Sequence, residues 1–414
     1  MERFYKRQHT LLRMRGGPLG VYAEELARQL GEEGYSKPTG QYALRLIANL
    51  GWWLNRHGMT VEQLTQENLK CYLDYHSSYH SRRTGDAATL RRLSGLLVAK
   101  GVVAAEGRSE PTPAQRLEEE FRQYLLQERK LTPGTVVQYL VHVRRFLAEC
   151  FANGEQQIKN LCAADIIQFV RQESVRLHST VRAKDMTTAL RSFLQYARYR
   201  DIITTDLRSS VPTVANWSMA SLPMSLSSDE VERLLAHCDR TTALGRRNLA
   251  VLLLLARLGL RAGEVSGLTL DDLDWERGEL CIRSLKGQNG HSDRLPMPQD
   301  VGEALAEYLR YSRPTCSSRS VFIRLNAPHR GFASSVAITC LVSRLLKRAK
   351  LKPPHKSAHL LRHFVATHLL RQGASLAEIG ELLRHRNQQS TTIYAKVGLD
   401  LLRPLALPWP GDAQ

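Results

Sequence analysis

The chain is 414 residues long, carries 58 Lys plus Arg against 40 Asp plus Glu for a formal net charge of +18, and is 43% apolar. That length and apolar share support two to four domains with real cores and exclude disorder along the whole chain. A positive excess of this size points to a polyanionic partner, nucleic acid or an anionic membrane surface, and the placement of the charge must choose between them.

The first residues, Met1 to Thr10, carry charge but no apolar run and no small-residue cleavage site, so nothing marks the chain for secretion. Seven cysteines (Cys71, Cys150, Cys162, Cys238, Cys281, Cys316, Cys340) are odd in number and never form a C-x-x-C pair. Such usage suits a reducing, cytosolic setting and argues against structural zinc. Two segments rich in Pro and Gly breakers, 104–113 and 212–225, cut the chain into thirds. The expected domains are 1–104, 112–212 and 222–405, followed by a tail at 406–414.

The first two thirds look like copies of one another. Ala43, Ile47 and Leu50 face Tyr139, Val143 and Phe146, and Leu64, Leu69 and Tyr72 match Leu161, Ile166 and Phe169. Further on, Leu90-Arg-Arg-Leu93 lies over Leu190-Arg-Ser-Phe193, and Lys100 to Val103 over Arg200 to Ile203. Any two four-helix units share helical spacing, but a nearly constant offset favours a duplicated helical module. The second copy opens with an amphipathic helix on Leu117, Phe121, Tyr124 and Leu125. It ends in a basic stretch, with Arg176, Arg182, Lys184, Arg191, Arg198 and Arg200 against only Glu173 and Asp185. With Tyr196 and Tyr199 interleaved, this segment is the expected surface for DNA phosphates. Arg82, Arg83, Arg91, Arg92 and Lys100 give the first copy a similar basic dressing.

The last third is mixed. Ser227 to Glu230 is a capping box. Leu249 to Ala256, the longest apolar run, lies between Arg247 and Arg257 and is far short of the roughly 20 residues of a membrane span, so it predicts a buried helix. A strand over 279–286, a turn at 287–290 and a return strand over 293–296 predict a hairpin. Gly373 caps a helix, and Ser375 to Glu378 starts the next.

Four short segments here place polar groups where a core helix would not want them. Arg261 and Glu264 stand at i, i+3 after the apolar helix, and so do His359 and Arg362 on a later one. His385 closes the next helix, and Thr391-Thr-Ile-Tyr394 follows. G-L-R-x-x-E, a hairpin Lys286, H-x-x-R, L-L-x-H and T-T-x-x-Y, in that order across about 135 residues, resemble the tyrosine recombinase (phage integrase) family. The match runs from Ser227 to about Val397; residues from about 112 to 212 resemble the family's core-binding domain more loosely.

The resemblance implies a mainly α fold with a small β component: a helical, SAM-like core-binding domain and a mixed α/β catalytic domain, preceded here by a second helical module. It also implies a site-specific recombinase or integrase that moves or resolves a mobile element through a 3′-phosphotyrosyl intermediate. Tyr394 would be the nucleophile, and covalent capture keeps the phosphodiester energy for religation without ATP, metal or another cofactor. Arg261 and Arg362 would bind the non-bridging oxygens, a task matched to planar guanidinium forks. Lys286, on a turn longer than compact members have, would protonate the leaving group, and His359 and His385 would hydrogen-bond the phosphate or shuttle the tyrosine proton. Glu264 would position Arg261 or a histidine. The implied partner is double-stranded DNA, with a dimer on one site and a tetramer in synapsis, or a hetero-oligomer with related recombinases. The setting would be the cytoplasm, at the nucleoid, with no membrane contact.

Three rivals stand beside this reading. A zinc site on His355, His359, His363 and His368 lacks a following Glu, a Cys or an Asp, and Arg362 repels a cation. A type IB topoisomerase uses similar side chains on a single duplex. A catalytically silent DNA-binding relative is the non-enzyme alternative.

Overall fold

The computed structural model describes residues 1–81, 83–104, 110–151, 156–215, 224–283, 292–353, 355–385 and 387–396. The chain forms two compact units, 1–106 together with 221–414, and 107–220. The first unit holds two separate apolar cores, one built from residues up to Val103 and one from Leu226 onward.

The N-terminal core is helical: α1 (Gln8–Arg15), α2 (Gly20–Glu32), α3 (Lys37–Arg56), α4 (Gln66–Tyr79) and α5 (Asp86–Ala99). In α3, Ala43, Leu44, Ile47, Leu50 and Leu54 recur at helical spacing and are all buried, which is why this stretch folds as an inward-facing helix. Thr65 accepts from the Asn68 N–H and opens α4, and Tyr72 Oη donates to Leu46 O at 2.8 Å, tying α4 to α3. The turn after α2 meets the loop at 324–331. There His329 N–H donates to Glu33 O at 2.9 Å, and Gly34, at φ 81°, leaves room for the His329 ring, because a Cβ would sit 2.0 Å from its Cδ2.

The second unit contains α6 (Pro113–Gln127), α7 (Pro133–Cys150), a short α8 (Gln156–Lys159), α9 (Ala163–Leu177) and α10 (Thr180–Tyr199). Thr112 and Gln115 form a capping box at α6. The core centres on Phe193, edge-on to Phe121 at 5.3 Å and to Phe146 at 6.0 Å. Of the residue pairs matched between the two modules, Ile47 and Val143, Leu50 and Phe146, Leu69 and Ile166, Tyr72 and Phe169, and Leu93 and Phe193 are buried on both sides. Tyr139 and Leu161 are only half-buried where Ala43 and Leu64 are buried.

Tyr196 departs from the expected DNA-facing surface. It is 1% exposed and packs against Phe121 and Tyr124, so it belongs to the core of its module. Tyr199, three residues on, is exposed.

The C-terminal part of the first unit comprises α11 (Ser228–Ala236), α12 (Ala243–Arg257), α13 (Ala262–Gly267), β1 (Leu273–Asp274), β2 (Glu279–Arg283), β3 (Ser292–Pro296), α14 (Gln299–Tyr311), α15 (Ser335–Arg348), α16 (His359–Arg371) and α17 (Leu376–Leu382). A 3₁₀ turn at Thr392–Lys396 follows. Every residue from Ala250 to Ala256 is buried, so α12 is the central helix, with α11, α14 and α16 packed on it. The predicted hairpin gains a third strand, giving an antiparallel sheet in the order β1-β2-β3, with Leu280 opposite both Leu273 and Leu295. Both predicted capping boxes form, at Ser227 with Glu230 and at Ser375 with Glu378.

Gly259 ends the α12 segment at φ 60°, and a Cβ there would stand 2.6 Å from Leu383 Cδ2. Gly259→Ala is expected to cost about 2 kcal/mol or more, from the left-handed backbone and the clash together. A urea midpoint unchanged from wild type would contradict this account.

Candidate active site

Three helix ends converge. Arg261 caps α13 through Glu264: its N–H donates to Glu264 Oε2 at 2.8 Å, and its Nη1 donates to Oε1 at 2.7 Å. Its Nη2 reaches across to Arg384 O at 3.0 Å. Arg362, on the first turn of α16, is 2% exposed. Its Nη1 donates to Gly259 O at 2.5 Å and its Nη2 donates to Leu383 O, so one guanidinium joins the ends of α12 and α17. Burial, then the neighbouring Arg261 charge, pulls its pKa down to about 10, still leaving it cationic at neutral pH.

Burial would push the Glu264 carboxyl up, but Arg384 and Arg261 outweigh it and hold the group below the ordinary glutamate value. Glu264 therefore stays ionised, bonded to the Arg261 guanidinium. Arg384 adds a second ion pair to it, Nη2 to Oε2 at 2.8 Å.

The aromatic side of the site is a ladder. His359 and His363 are one turn apart on α16, with ring centroids 5.2 Å apart and edge-on. His363 Nδ1 lies 2.9 Å from Tyr394 Oη, and the Tyr394 ring is stacked nearly parallel to His385, at 6° and 6.4 Å between centroids. His385 Nδ1 and Thr391 Oγ1 share a hydrogen bond at 2.6 Å. Tyr394 is 2% exposed, and burial raises its pKa while Arg362 partly offsets the rise. His359 stands exposed at the edge of the site; partial desolvation and then the Arg362 and Arg261 charges lower its pKa.

Six of the seven residues expected to do chemistry, Arg261, Glu264, His359, Arg362, His385 and Tyr394, thus belong to one connected cluster. Lys286 lies outside the described residues. The six basic residues expected to face DNA divide into kinds. Arg176 forks onto Glu173, which also pairs with Arg145. Arg191 Nη2 donates to Val211 O and Pro212 O, holding the end of its own module. Arg198 pairs with Asp201, and Arg200 with Glu128, both on the surface. Arg182 and Lys184 are exposed near the start of α10.

The Phage integrase family model matches residues 224–398, and the model of the SAM-like N-terminal domain of phage integrases matches 119–201. Over the whole of both chains, the sequence is 42% identical to a putative integrase/recombinase of Sinorhizobium fredii. The chain belongs to the phage integrase family. It is also 31% identical to the tyrosine recombinase XerD of Listeria monocytogenes, across 67% of this chain and 93% of that one. Among solved structures, the XerH site-specific recombinase bound to palindromic difH substrate shares the fold, with a TM-score of 0.55 and 20% identity over 84% of this chain and 98% of that one. The relatives are integrases and site-specific recombinases, so this enzyme is a site-specific DNA recombinase, and the topoisomerase-like and silent readings fall away.

Two members of this cluster were not legible as such. His363 figured only in the zinc alternative, although its place four residues after His359 already put it on the same helix face. Arg384 carried no signal, because its burial depends on contacts with residues more than a hundred positions away. Among the described residues, no group of three His, Cys, Asp or Glu side chains is arranged to hold a metal, and no helix is long and apolar enough to cross a membrane.

His363 and His385 both have pKa values pushed down to about 4, first by burial and then by neighbours: His359 and Arg362 for His363, Arg362 and Arg261 for His385. In the unfolded chain they take up protons near the ordinary 6.5. Between about pH 6.5 and 4 the unfolded state therefore binds more protons, and stability falls as pH falls. His363→Gln keeps an acceptor but does not titrate, so its unfolding midpoint is expected to decline less steeply from pH 7 to pH 5 than wild type. Equal slopes would remove His363 from this account.

Proposed function

We propose that the recombinase cleaves one DNA strand by attack of Tyr394 Oη on the scissile phosphodiester. The enzyme becomes joined to the 3′-phosphate and releases a 5′-hydroxyl; the reverse attack by a 5′-hydroxyl of the partner strand restores the backbone. The observation that carries this reading is the Tyr394 hydroxyl, buried in a cationic cluster and 2.9 Å from His363 Nδ1. A neutral imidazole there accepts the phenolic proton as the O–P bond forms. Arg261 and Arg384 share the Glu264 carboxylate while Arg362 donates to carbonyls, and a phosphate supplies the further negative charge.

Arg362 spends two of the five N–H donors of a guanidinium on carbonyls, which aim the remainder without moving at the moment of reaction. Arg261, with a side chain 40% exposed, is the reachable half of the clamp. His359 and His385 supply further donors to the phosphate oxygens. Lys286, by family resemblance, gives its proton to the departing 5′-oxygen. The chemistry then balances with neither metal nor nucleotide.

Grip on the duplex falls to the helical modules and is dominated by phosphates. In the second module Arg182 and Lys184 make direct contacts. Arg198 and Arg200 hold weak surface pairs that a phosphate can replace, while Arg176 and Arg191 act within the module. In the first, a concave site lined by Tyr42, Arg45, Asn49, His80 and Arg83 takes a phosphate. The enzyme works as a dimer on one site and a tetramer in synapsis, in the cytoplasm at the nucleoid, on a mobile element.

The test is covalent trapping on a nicked half-site in the presence of chelator. Wild type is expected to form the adduct and Tyr394→Phe none, while Arg261→Lys and Arg362→Lys each lose about 10²- to 10³-fold in rate. An adduct with Tyr394→Phe would refute the nucleophile. His363→Phe is expected to slow adduct formation more than His363→Gln, which still accepts; equal rates would exclude His363 as the acceptor. For the N-terminal site, combining Arg45→Ala with Arg83→Ala is expected to weaken half-site binding and flatten its salt dependence by about one to two phosphates. An unchanged salt slope would assign that module another partner.

A further inference from the structure

Arg384 occupies a backbone position that suits glycine. Helix α17 ends in a Schellman motif: His385 N–H donates to Gly380 O and Arg384 N–H to Glu381 O, both at 2.9 Å, with Arg384 at φ 53°. The neighbouring α16 ends in the same way, through Ala374 N–H to Leu369 O and Gly373 N–H to Leu370 O, and there the left-handed residue is Gly373, at φ 93°. The left-handed conformation is unfavourable for a residue with a Cβ, so an arginine in it asks for a reason.

The other non-glycine residues with positive φ, among those described, are Lys130, His178, Asp201 and Lys350, and all four are exposed. The Arg384 side chain is 9% exposed. Its Nη2 holds Glu264 Oε2, its own carbonyl accepts from Arg261 Nη2, and its Nη1 donates to Leu382 O at 3.1 Å. Its Nε is buried without a hydrogen-bond partner and lies 3.9 Å from Asp293 Oδ2 on β3, the strand that follows the segment carrying Lys286.

We infer that Arg384 is a positioning residue for strand cleavage. It holds Glu264 Oε2 while Arg261 Nη1 binds Oε1, so that the carboxylate orients the Arg261 fork, and it ties that pair to β3 through Asp293. The inference rests on the reading of this cluster as the cleavage site. From this turn the one residue holds Glu264 by its side chain and Arg261 by its carbonyl together.

Arg384→Gly suits the turn and removes the whole side chain, with its hydrogen bonds to Glu264 Oε2 and Leu382 O. Arg384→Asn, which also tolerates the left-handed region, serves as the second variant. Wild type, both variants, Arg384→Lys and Tyr394→Phe are compared for Tm, half-site affinity and first-order adduct formation at saturating DNA. For Gly and Asn the expected result is a Tm a few degrees below wild type, because Glu264 loses one buried partner while the turn is relieved, with the protein still folded at the assay temperature, affinity within about twofold, and adduct formation slowed by about 10²-fold. Arg384→Lys, which keeps a cation for Glu264, should recover part of the rate.

A wild-type rate in Arg384→Gly overturns the inference. So does a rate loss in both Gly and Asn variants that tracks an equal loss of folded protein. An adduct formed by Tyr394→Phe would instead show that the reading of the site has failed, and wild-type turnover with an inactive Tyr394→Phe keeps the two failures apart.

Discussion

Everything at the site hangs on one buried cation. Arg362 is taken out of water on the first turn of α16 and repays the cost of desolvation with hydrogen bonds to Gly259 O and Leu383 O. Those carbonyls sit at the ends of two other helices, so the guanidinium fixes where both chains turn. Gly259 has to be glycine for the same reason: its backbone is left-handed and packed on Leu383. Removing the charge would leave two helix ends unpaired, and adding bulk at Gly259 would separate them.

From this anchor the electrostatics follow. Arg261, Arg362 and Arg384 lie near Glu264, with Asp293 beside Arg384, and leave the cluster with a net positive charge. The same cations, together with burial, keep His363 and His385 neutral in the physiological range, with pKa values near 4. A neutral histidine beside a buried tyrosine is suited to accepting a proton, whereas a charged one would not be. In the proposed mechanism the clamp on the phosphate and the proton acceptor are one arrangement, since burial and the same arginines hold the histidines deprotonated.

Short-range rules reach a good part of the fold. The capping boxes at Ser227 and Ser375, the buried helix over Leu249–Ala256, the Gly373 cap and the hairpin are all legible in the sequence, because each depends on residues within a turn or two. Local pattern misleads at Tyr196, where a tyrosine amid arginines suggests a DNA face and the helix turns that ring into the aromatic core. It also treats six basic side chains as equivalent, although Arg191 is spent on Val211 O and Pro212 O and Arg176 on Glu173.

By itself the sequence determined the family resemblance: the order and spacing of Arg261, Glu264, His359, Arg362, His385 and Tyr394 pick out the side chains expected to meet a phosphate. The tertiary structure decided their division of labour. That His363 faces the tyrosine hydroxyl, that Glu264 serves two arginines, and that Arg384 is buried in a glycine-like turn are contacts spanning 31, 120 and 123 residues. Hydrogen bonds and desolvation act through space, and over such separations only the packing of α12, α16 and α17 brings the partners together.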